Sequence, residues 1–392
     1  MTTPETAAPA EHLPDPAAEA TLDAERQRTA QAYARVKRRL MLVDLLLGGV
    51  YLAVWLLAGW YADLRDFVVR LAPNPWLNVP LYAFLFGLPY FILDLPLSYY
   101  SGFVLPHRYG QSTETLRGWL RDLALGLAIS GVLGVIVLVV VYWLLRAAPG
   151  LWWLYAGLVM LFFTVILSTL APVVIAPLFY RFEPLADEDL ARRLEQLGEQ
   201  AGLKIEGVYR FDMSRRTRSA NAAVMGLGRT RRIVLGDTLL DHFTPDEIET
   251  VLAHELAHVV HRDMPIGVVV NSVLTLASFW LVDMALRWAA GPLGLTSLAD
   301  PAGMPLIALT VGVVGLVAMP LGNAFSRWRE RRADAFALRT TGKPRAFASA
   351  MTRLANQNLA EVNPESWVVF LFYSHPPLAA RIERARDFAA AA

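Results

Sequence analysis

The chain has 392 residues, of which 55% are hydrophobic and only 18% charged, and its formal net charge is +1. A soluble domain carries about 25% charged residues, and a nucleic-acid-binding surface needs a basic excess on one face; both classes are excluded. The absence of cysteine removes disulfide scaffolds, thiolate metal sites, iron–sulfur clusters and cysteine nucleophiles together. The composition is that of a membrane protein.

Residues 1–25 are rich in Ala, Pro, Glu and Thr. Too few large apolar side chains are present to offset the entropy of ordering, so this stretch reads as a disordered tail. It lacks the basic and apolar regions of a cleavable signal peptide. Residues 26–40 are a basic juxtamembrane segment, with Arg26, Arg28, Arg35, Lys37, Arg38 and Arg39. Six stretches then reach the roughly 20 apolar residues that a helix needs to cross hydrocarbon. They lie near 41–62, 80–103, 122–145, 151–176, 264–289 and 304–324. The chain therefore divides into four spans within 41–176, an insertion at 177–263, two spans within 264–324 and a polar part at 325–392.

Of the 36 basic residues only Arg65, Arg70, Arg146 and Arg287 lie on the side opposite the termini. The positive-inside rule then puts both termini and both polar regions in the cytoplasm. Asp94 and Asp283 fall inside apolar spans, where an ionisable group faces a hydrated cavity or hydrogen-bonds a neighbouring helix. Asp44 is close enough to the interface to need no special role. Trp60, Tyr61, Trp152 and Trp153 sit near span ends and read as an interfacial belt. His107-Arg108-Tyr109-Gly110 follows the second span and reads as a basic anchor.

Within the insertion, Leu190, Leu194 and Leu197 form the apolar stripe of a helix over Asp187–Leu203. Residues 208–211 and 232–235 have the composition of short strands. Thr244, Pro245 and Glu247 carry a capping box with proline in the first turn, and so start a helix. That helix contains His254-Glu255-Leu256-Ala257-His258. Helical spacing puts the two imidazoles one turn apart on one face, able to reach one Zn²⁺. Glu255, beside the first histidine, is placed to take a proton from an attacking water.

A catalytic zinc needs a third protein ligand and an open fourth position. His242, His261 and His375 are available donors, but Glu330 after the sixth span is the better one, with Asp334 one turn further on. Glu330 would complete a His₂Glu set and Asp334 would orient a ligand histidine. Alternatively, both acids simply pair with the arginines around them.

At these residues the chain resembles the type I CAAX prenyl proteases, integral-membrane zinc metalloproteases that include the a-factor-converting enzyme. The matching pieces are Ala176-Pro177-Leu178-Phe179-Tyr180, Arg218-Ser219-Ala220-Asn221-Ala222 and the run Arg232 to Leu240. The run Ser326 to Asp334 and Tyr373-Ser374-His375-Pro376-Pro377-Leu378 with Arg381-Ile382 also match. The resemblance spans about residues 33–388 and also takes in the His107–Gly110 loop. It implies a mostly α polytopic bundle of six spans with a cytoplasmic gluzincin-type protease domain containing a small β-sheet.

The resemblance further implies one Zn²⁺ per chain on His254, His258 and Glu330, with Glu255 as general base. His375 would donate to the developing oxyanion or the leaving amine. Asn221, Ala222 and Arg381 would lie near the substrate, which adds as a strand along Ala220–Met225. The family's eukaryotic members have seven spans enclosing a water-filled chamber, and their first span has no counterpart here. The implied substrates are peptides or proteins, C-terminally prenylated or membrane-associated, with the bilayer as the other partner and no nucleic acid. Among the basic residues only Lys37, Lys204 and Lys343 are lysine, which points to a bacterial source and its inner membrane. Two alternatives remain: a membrane-protein quality-control protease with no prenyl requirement, and a six-span transporter or receptor with a structural metal.

Overall fold

The computed structural model of the chain describes residues 20–226 and 228–391. Six helices in it are long and apolar enough to cross a membrane: Ala24–Leu57, Pro75–Arg108, Leu116–Ala147, Trp152–Phe179, Asp263–Ala289 and Pro301–Thr341. Each falls where the apolar stretches put it, but the ends differ. Asp23 caps the first helix by accepting the Glu25 and Arg26 N–H groups, so the basic segment at 26–40 is a helical extension of the first span. Most of the expected tail lies outside the described residues. The helix start is tied to the far end of the chain: Asp23 N–H donates to Asn356 Oδ1 at 3.2 Å and Arg38 pairs with Glu361 at 2.8 Å.

Buried apolar side chains gather in two clusters, one at each end of the spans. The first joins Trp55, Tyr82, Tyr142, Trp152 and Leu286 at the end away from the His254 helix. There Trp152 Nε1 donates to Asp283 Oδ1 at 2.7 Å, and Arg287 Nε donates to the other Asp283 oxygen at 2.8 Å. Of the two readings of Asp283, the bond between helices is the one observed. Trp152 and Tyr61 are 1% and 8% exposed and fill this cluster rather than a belt at the span ends, whereas Trp60 is 51% exposed. Between the clusters the third and sixth spans bury no side chains, while the fourth and fifth stay packed, with Gly157 against Leu276. Leu116–Ala147 buries nothing before Tyr142, and Pro301–Thr341 buries nothing between Pro305 and Glu330. Apolar side chains along the spans, Leu321 at 73% exposure among them, form the surface of an integral membrane protein.

The second cluster is the core of the polar half. The stripe Leu190, Leu194 and Leu197 packs there with Ile233, Leu235, Leu252, Ala253, Leu256 and Phe347. A four-stranded sheet covers it, β1 (Phe182–Pro184), β2 (Gly207–Phe211), β3 (Ala222–Met225) and β4 (Arg232–Gly236), in the order β1-β2-β4-β3. β2 and β4 are parallel, and β3 runs antiparallel to β4 with Ala222 opposite Leu235 and Met225 opposite Arg232. β3 is an edge strand.

Gly226 makes the turn after β3 possible. Its φ is +88°, and a Cβ there would stand 2.2 Å from the Thr230 carbonyl oxygen. Gly228 also has positive φ, +59°, but open space around it. Gly226→Ala is therefore expected to lower the unfolding midpoint more than Gly228→Ala, which bears only the left-handed penalty of about 1–2 kcal/mol. Thermal unfolding of both variants beside the parent checks this, and equal shifts would contradict it.

Candidate metal centre

The helix Pro245–Val260 begins at Thr244, whose hydroxyl accepts the Glu247 N–H while the Glu247 carboxylate accepts the Thr244 N–H at 2.8 Å. The capping box read from the sequence is thus formed. The other Glu247 oxygen accepts Ser349 Oγ at 2.5 Å and Arg353 Nε at 2.8 Å, tying this helix to Pro344–Gln357. Leu252, Ala253 and Leu256 bury its inner face. The opposite face carries His254 and His258.

The two rings stand edge-on at 4.9 Å between centroids, with their Nε2 atoms 3.3 Å apart. The helix Pro301–Thr341 runs past its apolar part and brings Glu330 to both: His254 Nε2 is 3.2 Å from Oε2 and His258 Nε2 is 3.5 Å from Oε1. One atom from each of the three residues lies within 4.8 Å of the others. Two ligand atoms each about 2.0–2.1 Å from one tetrahedral zinc stand about 3.3 Å apart, so these spacings fit an ion. The buried Oε2 of Glu330 accepts no hydrogen bond, as a lone pair reserved for a cation would.

Behind the three residues sits a second layer. His254 Nδ1 is 3.0 Å from Asp334 Oδ1, and Asp334 is held by Arg381 Nη2 at 2.6 Å and Nε at 3.1 Å. Arg381, read by resemblance as a substrate residue, is 7% exposed. Its Nε and Nη2 face Asp334, and Nη2 lies 3.3 Å from His254 Nδ1, so in this structure the guanidinium braces the carboxylate behind His254. Asp263 occupies the equivalent place for His258, with Oδ2 2.7 Å from Nδ1. In the sequence Asp263 looks like nothing more than the boundary of a span. The signal was a carboxylate one residue past Arg262, whose φ of 56° turns the chain from the His254 helix into the fifth span.

Burial lowers the His254 imidazole, but the neighbouring Asp334 and Glu330 carboxylates outweigh it and raise the group to about 9. Burial raises the Glu255 carboxyl, the direction that makes a carboxylate a better base near neutral pH. His375 is lowered chiefly by burial; its Nε2 stands 3.5 Å from Glu330 Oε2 and its Nδ1 2.9 Å from Ser374 Oγ. His242 and His261 are outside the group. His261 follows the helix end and sets its ring edge-on to Phe336 at 5.8 Å.

β3 packs beside the His254 helix. Asn221 is exposed just before it and accepts the Ala222 N–H on Oδ1 at 2.9 Å, while its carbonyl accepts the Gly236 N–H at 2.9 Å. Ala222, 6% exposed, opens the strand. Both residues therefore border the sheet edge nearest the centre.

Residues 6–181 match the CAAX prenyl protease N-terminal domain of five membrane helices, and residues 184–389 match peptidase family M48. The chain is 30% identical over 360 residues to a Bacillus subtilis protein named uncharacterized metalloprotease YhfN, covering 91% of this chain and 84% of that one. It is 31% identical over 312 residues to CAAX prenyl protease 1 of Saccharomyces cerevisiae, covering 74% of this chain and 68% of the relative. The crystal structure of S. mikatae Ste24p is similar with a TM-score of 0.83 at 25% identity, over 96% of this chain and 92% of that one.

Proposed function

The chain belongs to peptidase family M48, and from that premise we propose a zinc-dependent endopeptidase working at the cytoplasmic face of the membrane. It is an integral-membrane metalloprotease of the CAAX prenyl protease kind, with peptides or proteins as substrates. One observation carries the proposal: His254, His258 and Glu330 converge within 4.8 Å with Glu255 next to the first histidine. Two imidazoles and one carboxylate with a free fourth position are the donor set of a catalytic zinc, whereas a structural zinc is closed by four protein ligands.

When bound, zinc polarises the scissile carbonyl and acidifies water. Asp334 and Asp263 hold the two imidazoles so that both Nε2 atoms face Glu330. Glu255 takes the proton from the attacking water and passes it to the leaving amine. His375 donates to the oxygen on which charge develops. The substrate lies extended along β3, whose unpaired edge supplies main-chain hydrogen bonds. The distribution of basic residues supports cytoplasmic termini, and the Bacillus subtilis relative supports a bacterial plasma membrane. Relatives named CAAX prenyl protease 1 direct the substrate reading to C-terminally prenylated or membrane-associated polypeptides.

The test uses protein purified into nanodiscs, with bound metal quantified first. A farnesylated CAAX-type peptide is expected to be cleaved, and the rate ratio to its unprenylated counterpart measures what the lipid adds. Stoichiometric zinc with neither peptide cleaved would overturn the substrate reading, and no zinc would overturn the metal assignment.

A further inference from the structure

Three side-chain amides grip the segment leading into β3, and the metal centre uses none of them. Asn358 Oδ1 accepts the Ala220 N–H at 2.8 Å, and its Nδ2 donates to the Ala220 carbonyl at 3.2 Å. One side chain thus makes both bonds that a neighbouring strand residue would make. Gln357 Nε2 donates to the Arg218 carbonyl at 2.9 Å and the Thr238 carbonyl at 3.2 Å. Gln111, from the loop between the second and third spans, donates its Nε2 H to the Gln357 carbonyl at 3.1 Å and accepts Ser219 Oγ on Oε1 at 3.4 Å, while its main-chain carbonyl accepts the Arg218 N–H at 3.1 Å. Leu359, next to Asn358, has a φ of 45°, an unfavourable conformation for leucine that persists where surroundings impose it.

The direction of these bonds matters. In an antiparallel ladder, main-chain groups of alternate residues face opposite edges. The Asn221 carbonyl bonds the Gly236 N–H on the β4 side, so the groups of Ala220, Ala222 and Val224 face the free side. Asn358 has already filled the first of these positions. The Ala222 N–H is held by Asn221 Oδ1 at 2.9 Å, so an incoming extended peptide meets a free edge that starts at the Ala222 carbonyl.

We propose that Asn358 is a stop on the edge of β3 that sets the register of the substrate strand, and so selects which peptide bond reaches the metal centre. This rests on the reading that substrate adds to β3. Pairing slips in steps of two residues, about 6.6–6.8 Å, far beyond the roughly 1 Å misplacement that already costs a hundredfold in rate. Without the stop, a substrate could pair with Ala220 and present a bond two residues away. Asn358 acts through the strand and is a positioning residue; Gln357 and Gln111 hold the segment it pairs with.

The experiment maps cleavage sites by mass spectrometry on one unprenylated peptide, with each backbone N–H near the scissile bond N-methylated in turn. The wild type is expected to cut at one main bond and to lose activity when a pairing N–H is methylated. Asn358→Ala is expected to retain zinc, to fall about tenfold at the main bond for the lost hydrogen bonds, and to gain a cut displaced by two residues. Asn358→Asp keeps the acceptor for Ala220 N–H and is expected to show a smaller displaced fraction, which still reads the register if the alanine variant fails to fold. A wild type indifferent to methylation would sink strand addition itself. A wild type sensitive to methylation, with both variants cutting only at the original bond, would overturn the register stop alone.

Discussion

Replacing Glu255 with glutamine is expected to leave bound zinc at its wild-type level while peptide hydrolysis falls by about 10²–10⁴-fold, the usual contribution of a positioned general base. The proposed ligand group is His254, His258 and Glu330, and glutamine keeps the size of the side chain without its basicity. The paired readout matters because loss of activity alone also follows from loss of metal. Glu330→Gln serves as the contrast: it weakens the donor set, so zinc and activity should fall together. Metal analysis and turnover on the same preparations decide the matter. A Glu255→Gln protein that still cleaves at the parent rate would remove Glu255 from the mechanism.

The second large effect lies one layer back. Asp334 is fully buried and faces both Arg381, at 2.6 Å, and His254 Nδ1, at 3.0 Å. Asp334→Ala leaves the Arg381 guanidinium, itself 7% exposed, charged and unmatched. Breaking a buried pair from one side costs about 3–5 kcal/mol, a large share of the stability of any domain. Loss of the contact to His254 should also weaken zinc by about 10–100-fold. Removing both partners, as in Asp334→Ala with Arg381→Met, should be less destabilising than the single change, since no charge is stranded. Denaturant unfolding and zinc titration of the single and double variants test this. A double variant less stable than Asp334→Ala would show that the pair itself is not what holds this region.

What could be read from sequence was what repeats locally. Six apolar runs of spanning length, the Leu190–Leu194–Leu197 stripe and the capping box at Thr244 each depend on neighbours within a turn or two. Periodicity reports such faces directly. His254 and His258 belong to the same class, one turn apart on one helix. Glu330 was within reach because it sits beside Asp334 on a second recognisable motif. The contacts that escaped join distant segments. Asn358 and Ala220 are 138 residues apart, and no pattern in either stretch announces the other. Arg381 shows the same limit: among Arg384 and Arg386 on one helix its sequence context says surface, while Asp334 draws it inside. Trp152 resembled an interfacial residue until Asp283 across the bundle claimed its N–H.

The most direct measurement is X-ray absorption at the zinc edge of the purified wild-type protein, together with anomalous diffraction to locate the ion. One zinc per chain is expected on His254 Nε2, His258 Nε2 and Glu330, at about 2.0–2.2 Å, with the fourth position free of protein. A zinc closed by four protein ligands, or one bound elsewhere in the chain, would contradict it.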